Sequence, residues 1–282
     1  KILNDFKPNA AVGFGGYASG PVLKIAQWKK IPTFIQEQNS FPGITNRWLA
    51  KKTKTIFTAY DGMEAYFPKE KIFISGNPIR SEFFDMPKET SISKEAFGFD
   101  AKKPVLFFMG GSQGARSINK AVAENIDYFS TNHIQIIWQT GKHFVKEASQ
   151  LIKDKNAENQ IKPFVFIDDI HNAFAAADIV IARAGAISIA ELSAAGKACI
   201  FVPLPTAAED HQRKNALKLA TSHAAIMIED AEVSRKLANE VDALLSDKER
   251  MQQMSSRIQA FAYPDASEKI AKEIMKNLEL ND

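Results

Sequence analysis

The stretch Pro104-Val105-Leu106-Phe107-Phe108-Met109-Gly110-Gly111-Ser112-Gln113-Gly114-Ala115-Arg116 decides the fold. It opens on an unbroken apolar run. A run with no polar alternation reads as a strand buried on both faces, as in a parallel sheet covered by helices. The glycines that follow permit positive φ and let backbone N–H groups come close to a ligand. A helix then opens, aiming unpaired N–H groups and a partial positive charge at the turn. Strand, turn and helix in this order can seat a diphosphate. The turn lacks the Lys-Ser/Thr of a P-loop and is not a GxGxxG fingerprint. A tight strand-to-helix connection with no ligand is the other reading.

Downstream, strand-like runs recur at 133–138, 163–166, 178–182, 198–203 and 225–228. Segments with helical spacing lie between them, at 117–128, 186–195 and 209–220. This alternation implies βαβ units, hence an α/β fold with a parallel sheet. The tail from 231 to 280 is charged, amphipathic and helical in pattern. Upstream, 10–14, 31–35 and 55–58 read as strands and 44–52 as a helix. Residues 83–103 are polar and rich in Lys, with weak periodicity, and read as a connector. The expected organisation is a partial N-terminal domain over 1–82, that connector, a ligand-binding domain over 104–262, and a C-terminal helix over 263–282 packing back on the first domain.

Of the 282 residues, 45% are hydrophobic and 24% charged, enough for one large core or two medium ones, and the length suggests about two domains. The formal charge of +3 supplies no bulk basic field for nucleic acid. The single cysteine, Cys199, lies in an apolar run and reads as a buried strand thiol. No apolar run is long enough to span a bilayer. The opening Lys1-Ile2-Leu3-Asn4-Asp5-Phe6 has no signal-peptide pattern and no initiator Met, so the chain is expected to start inside a domain.

Four more stretches follow strands. In Arg183-Ala184-Gly185-Ala186-Ile187-Ser188-Ile189-Ala190-Glu191, small residues allow close backbone approach, and Ser188 can serve a phosphate. A carboxylate at Glu191 can accept two hydrogen bonds from a vicinal diol such as a ribose. The Ser188-x-x-Glu191 spacing equally fits a helix capping box. In Pro203 to Asn215, amide and imidazole groups open a helix and can read sugar hydroxyls; an ordinary N-capped helix with a surface His211 fits the same residues. In the front part, Gly13-Phe14-Gly15-Gly16-Tyr17-Ala18-Ser19-Gly20-Pro21 and Gln36-Glu37-Gln38-Asn39 stand at strand ends, where open α/β sheets place ligands. Lys24, Trp28, Lys29 and Lys30 group an aromatic with cations, as membrane-interfacial sites do; a solvated helix end has the same composition.

Together these loops resemble the MurG family of peptidoglycan N-acetylglucosaminyltransferases. The matching residues are 15–21, Glu37-Gln38-Asn39, Gly76-Asn77-Pro78-Ile79-Arg80, Gly110 to Ala115, Arg183 to Ala186 with Glu191, and Asp210-His211-Gln212 with Asn215-Ala216. The resemblance implies two Rossmann-like domains of the GT-B type, the first incomplete here, and inverting transfer of GlcNAc from UDP-GlcNAc to the undecaprenyl-linked muramyl-pentapeptide (lipid I). It implies a peripheral enzyme on the cytoplasmic face of the bacterial inner membrane, with no cofactor required and no metal. It assigns the donor to Arg80, Ser112, Gln113, Ile167, Ala186, Ile187, Ser188, Glu191, His211, Gln212 and Asn215. Ile167 would pack at the uracil and Glu191 would take the ribose diol. Gly15, Gly16, Ser19 and Asn39 would meet the acceptor pyrophosphate.

Two departures stand out. The family's first Gly-rich loop, with a His proposed as catalytic base, has no counterpart, so the base is expected in a missing front segment and the chain itself is expected to bind donor without turnover. The residue before Glu37 is often His in the family and is Gln36 here, which leaves Glu37 as the one carboxylate of that loop. No Asp-x-Asp motif is available to chelate a metal. A UDP-GlcNAc 2-epimerase-like enzyme and a non-catalytic UDP-sugar-binding fragment are the alternatives.

Overall fold

The computed structural model describes residues 2–86, 90–111 and 113–279. The chain forms two compact units, one from Lys1–Ile79 with Tyr263–Asp282 and one from Arg80–Ala262.

The first unit is built on four parallel strands, β1 (Ala11–Gly13), β2 (Thr33–Glu37), β3 (Thr55–Thr58) and β4 (Ile72–Ile74), in the order β1-β2-β3-β4. Both faces of this sheet are covered, which is why β2 and β3 each carry two adjacent apolar residues instead of an alternating pattern. Ile35 and Ile56 pack with Leu23, Leu49, Met63 and Phe67 on one face. Phe34 and Phe57, one residue out of phase, turn to the other face and pack against Ile270 of the helix Ala266–Glu279. β4, short and half-exposed, was not legible as a strand.

The second unit carries six strands: β5 (Val105–Met109), β6 (Gln135–Gln139), β7 (Ile161–Phe164), β8 (Ile179–Ala182), β9 (Ala198–Phe201) and β10 (Ile226–Met227). Their order is β10-β9-β8-β5-β6-β7, and every pairing is parallel. From β5 the chain winds outward through β6 and β7, then returns to β8 on the other side and winds outward again. The strand order therefore reverses between β5 and β8, where open α/β sheets form their ligand crevice.

Three sequence expectations are corrected. Residues 83–103 are not a connector. They belong to the second unit and include the helix Thr90–Ala96. The lysines that made this stretch look solvated include Lys94, whose Nζ is buried and donates to Lys103 O at 2.9 Å and Asp178 Oδ2 at 2.8 Å. The helix expected over 117–128 divides into Arg116–Glu124 and Ile126–Thr131, because the Asn125 side chain donates to Ala121 O (2.8 Å) and Ser234 O (3.1 Å) at the break. The strand expected at 163–166 ends at Phe164, on an edge that tolerates Pro163. Phe166 and Ile167 are thereby released into the loop beyond it.

Candidate functional site

A cavity of about 430 Å³ opens at the carboxyl ends of the strands around the β5/β8 reversal. Gly110 and Gly111 line it from β5, Gln139 from β6, Arg183 and Ser188 from β8 and the helix that follows. Phe166, Ile167 and Ile170 give it an apolar wall, and Arg80 faces into it with Glu191.

The Gly-rich turn uses its glycines for two purposes. Gly111 has φ +71° and nothing within 4 Å of where a Cβ would stand, so its backbone is bare toward the cavity. Gly114, at φ +79°, could not carry a Cβ without meeting Thr140 O at 2.3 Å. That glycine exists to let the β5 and β6 turns interlock. The helix Arg116–Glu124 that follows has Ala115 as its N-cap and, among the described residues, no side-chain cap, which leaves its dipole open to an anion. Ser112 lies outside the described residues. Gln113 faces a separate cavity of about 570 Å³, beside Arg116, Lys120 and His143; the turn from Gly111 to Gly114 carries its side chain away from the first one.

The helix Ala186–Ala195 begins at Ala186 with Gly185 as its N-cap, and no side chain caps it. Ser188 is thus the third residue of the helix, and the capping-box reading of Ser188 and Glu191 is overturned. Among the described residues neither side chain has a hydrogen-bond partner. Burial pushes the Glu191 carboxyl above its ordinary range, and the Arg80 guanidinium opposes that by favouring the charged form. The Arg80 guanidinium lies 5.1 Å from the centroid of the Phe83 ring. Ile187 and Ala186 sit in the first turn of the helix, outside the cavity wall.

Arg183 is committed elsewhere. Its guanidinium donates to Val202 O (3.0 Å), Pro203 O (3.2 Å), Asp230 Oδ1 (2.5 Å) and Ser117 Oγ (2.9 Å). Ser117 Oγ in turn donates to Asp230 Oδ1. This network binds the ends of β8 and β9 to the helix under the Gly-rich turn. Asp230 escaped the sequence reading, since nothing local sets it apart from Glu229 and Glu232 beside it after the last strand.

His211, Gln212 and Asn215 do not line the cavity. His211 Nδ1 is 2.7 Å from Ala208 O, Gln212 Oε1 accepts from Leu204 N at 3.0 Å, and buried Asn215 reaches Ala184 O at 3.5 Å. Glu209 and Asp210 hold left-handed backbone, at φ 55° and 57°. Asp210 stands at the N-cap of the helix His211–Thr221 without a side-chain cap bond, so this is not the ordinary capped helix that its composition also fits.

In the first unit, Gly15 and Gly16 have positive φ and lead into the helix Gly16–Trp28, again uncapped by a side chain. Ser19 Oγ donates to Gly16 O at 3.0 Å. Buried Glu37 organises the neighbouring loop. Oε1 accepts from Asn39 N and Nδ2 at 3.0 and 3.3 Å, and Oε2 from Gly43 N and Asn46 Nδ2 at 3.1 and 2.8 Å. With four donors on its two oxygens, this carboxylate is a tether for the loop and Asn39 is one of its ligands; a base would need a vacant lone pair. On the same unit Tyr17 is 83% and Trp28 67% exposed, and Lys24 Nζ lies 4.5 Å over the Trp48 ring.

Residues 105–270 match the C-terminal domain of glycosyltransferase family 28, and residues 1–58 match its N-terminal domain. The chain belongs to glycosyltransferase family 28. This glycosyltransferase is 43% identical, over 98% of its length and 73% of the relative's, to the UDP-N-acetylglucosamine--N-acetylmuramyl-(pentapeptide) pyrophosphoryl-undecaprenol N-acetylglucosamine transferase of Cytophaga hutchinsonii. It superposes on MurG of Acinetobacter baumannii with a TM-score of 0.79 at 30% identity, covering 98% of this chain and 75% of that one. The same two-domain α/β fold is shared with a UDP-GlcNAc 2-epimerase from Neisseria meningitidis (TM-score 0.66, 14% identity, 98% of this chain and 78% of that one). At that identity the likeness is one of fold. The family 28 match thus gives the GT-B architecture of two Rossmann-like domains that the parallel sheets display.

Proposed function

We propose that the chain transfers N-acetylglucosamine from UDP-N-acetylglucosamine to an undecaprenyl-pyrophosphoryl N-acetylmuramyl-pentapeptide, with inversion at the anomeric carbon, in peptidoglycan synthesis. The observation that carries the donor half is the cavity at the strand-order reversal. It combines an apolar wall at Phe166 and Ile167 for a base, a Glu191 carboxylate without a hydrogen bond among the described residues for a ribose diol, and an open turn at Gly111 for the diphosphate. The acceptor half rests on the relatives, whose names carry both substrates.

In this reading the acceptor hydroxyl gives its proton to a general base, which is not among the residues assigned above, as its oxygen attacks C1 of the sugar from the face opposite the leaving group and the C1–O bond to UDP breaks. The charge arriving on the diphosphate meets the uncapped N-termini of the helices Arg116–Glu124 and Ala186–Ala195. Such N-termini stabilise developing negative charge with dipoles already in place. Gly15, Gly16 and Ser19 are the first unit's candidates for the acceptor pyrophosphate.

The enzyme would work at the cytoplasmic face of the inner membrane as a peripheral protein; among the described residues no helix is long and apolar enough to cross a bilayer. The support is the exposed Tyr17, Val22, Ile25, Trp28 and Trp48, flanked by Lys24, Lys29 and Lys30. Aromatics with cations fit the headgroup region of an anionic leaflet. Flotation with phosphatidylglycerol vesicles should carry the protein upward, and phosphatidylcholine vesicles should not. Equal binding to both would remove the electrostatic part of the proposal.

The function is tested by following UDP release with and without a short-chain prenyl-pyrophosphoryl muramyl-pentapeptide. Release that depends on acceptor supports transfer. Release without acceptor, accompanied by N-acetylmannosamine, would assign the chain to the epimerases instead.

A further inference from the structure

β6 carries a glutamine at each end, and the two are treated differently. Ile136 and Trp138 point into the main core of the second unit. By alternation, Gln135, Ile137 and Gln139 point to the opposite face. Gln135 and Gln139 are equally inaccessible, at 3% and 2% exposure. The Gln135 carboxamide is satisfied: Oε1 accepts from Asp100 N at 2.7 Å, and Nε2 donates to Asp100 O at 2.9 Å. The Gln139 carboxamide has no hydrogen-bond partner among the described residues, and its Oε1 is a buried, unpaired acceptor. An unpaired buried amide costs about 1–3 kcal/mol. Gln139 differs from Gln135 in lining the donor cavity, where a ligand acceptor can meet its Nε2; the enclosed Oε1 stays unpaired with or without a diphosphate, which brings acceptors only.

Its position there is fixed from three sides. Gly110 N donates to Gln139 O at 3.1 Å, and a Cβ on Gly110 would come within 2.6 Å of that oxygen. Met109 is its register partner on β5, and Phe164 its partner on β7. β5 leads directly into the bare turn at Gly111, and β7 leads into the apolar wall at Ile167. Gln139 therefore stands between the two, on the cavity floor.

We propose that the Gln139 carboxamide is a donor-binding group that donates from Nε2 to the diphosphate of the nucleotide, where the base-side and phosphate-side walls of the cavity meet. The inference rests on the donor reading above and adds to it a residue that the sequence motifs did not single out. It explains why a polar side chain is kept on the floor of a cavity whose strand neighbours are Met109 and Phe164.

The test is titration calorimetry of the full chain with UDP and with uridine. Wild type, Gln139→Met and Gln139→Glu are compared, with thermal melting as a fold control. Gln139→Met, close in volume and without an amide, should weaken UDP about 10- to 100-fold and leave uridine within about threefold, the loss of one hydrogen bond to a charged group. Gln139→Glu, which places like charge beside the diphosphate, should weaken UDP further still. A folded variant whose UDP affinity stays within twofold overturns the proposal, as does one that loses UDP and uridine in equal proportion. If the variants do not fold, the Gln139 side-chain amide resonance of the wild type decides. It should shift on addition of UDP and stay in place on addition of uridine; the reverse overturns the proposal. A wild-type chain that binds no UDP would instead sink the donor reading itself.

Discussion

Replacing Glu191 by alanine should abolish most of the affinity for UDP while leaving the fold intact. The carboxylate sits half-buried in the cavity without an internal hydrogen bond among the described residues, and burial raises its pKa. Its ionised form is therefore a cost to the free protein that Arg80 offsets in part and that a ligand's donors offset further. A ribose diol supplies two. A hydrogen bond to a charged group contributes about 1.5–3 kcal/mol net, and two on one carboxylate are less than additive. Removing both should cost about 2–3 kcal/mol, or about 30- to 150-fold in Kd. Calorimetry at pH 7.5 measures this directly, and 2′-deoxy-UDP locates it: wild type should lose affinity on removal of the hydroxyl, and Glu191→Ala should not. The pH dependence has a definite sign. The protonated carboxyl accepts poorly, so UDP affinity should fall as pH drops through a range above the ordinary carboxylate value of 4.5. For the free protein the raised pKa means that the folded state holds its proton where the unfolded state has lost it. Stability from this group is present below that range and lost as pH rises through it. A Glu191→Ala protein with wild-type UDP affinity and a lowered melting temperature would refute the reasoning and make Glu191 a structural residue.

Gly111→Ala should weaken UDP with about 1–2 kcal/mol of backbone strain, since φ is +71° but the space is open; Gly114→Ala should unfold the turn, its Cβ meeting Thr140 O at 2.3 Å. Paired binding and melting measurements separate the two, and equal effects on both readouts would argue against a divided role for the glycines. Asp230→Ala strips an ion-pair partner from the largely buried Arg183 and should cost about 3–5 kcal/mol in denaturant titration; a loss under 1 kcal/mol would mean the network is slack. Burial lowers the Lys197 pKa from 10.5 to about 8, so the unfolded state binds the extra proton between these values and stability should rise with pH. The rise should be about 2 kcal/mol from pH 8 to 10, measured in a Cys199→Ala background, because the buried thiol is pushed up and pulls stability down over the same range; Lys197→Met should flatten it.

The parallel sheet was legible because burial on both faces writes itself as uninterrupted apolar sequence, as in Val105 to Phe108 and Ile179 to Ala182. The short β4 was not, since a three-residue half-exposed strand carries no period. Lys94 misled for a related reason. Composition counts a lysine as solvated, and only Asp178, 84 positions along the chain, makes it a core residue. The site divides in the same way. Glu191 and Gly111, which line the cavity, stood out because each lies within its own strand–turn–helix unit. Asp230 and Gln139 did not, because each matters through residues that only the strand order brings alongside.

That distinction bears on how the cavity handles charge. Arg183, in a small-residue loop after a buried strand, has the sequence position of a phosphate-binding cation, yet its guanidinium is occupied by Asp230, Ser117 and two carbonyls. The cation that the cavity presents is Arg80, and it faces the Glu191 carboxylate. What remains for a diphosphate is neutral: backbone at Gly111, two helix N-termini without side-chain caps, and on our inference the Gln139 amide. Neutral dipoles keep their orientation whether the ligand is present or absent, and they hold a dianion less tightly than a pair of guanidinium groups would. A transferase must release UDP after each turnover, so a site built this way can stabilise the charge that arrives on the leaving group and still let the product go.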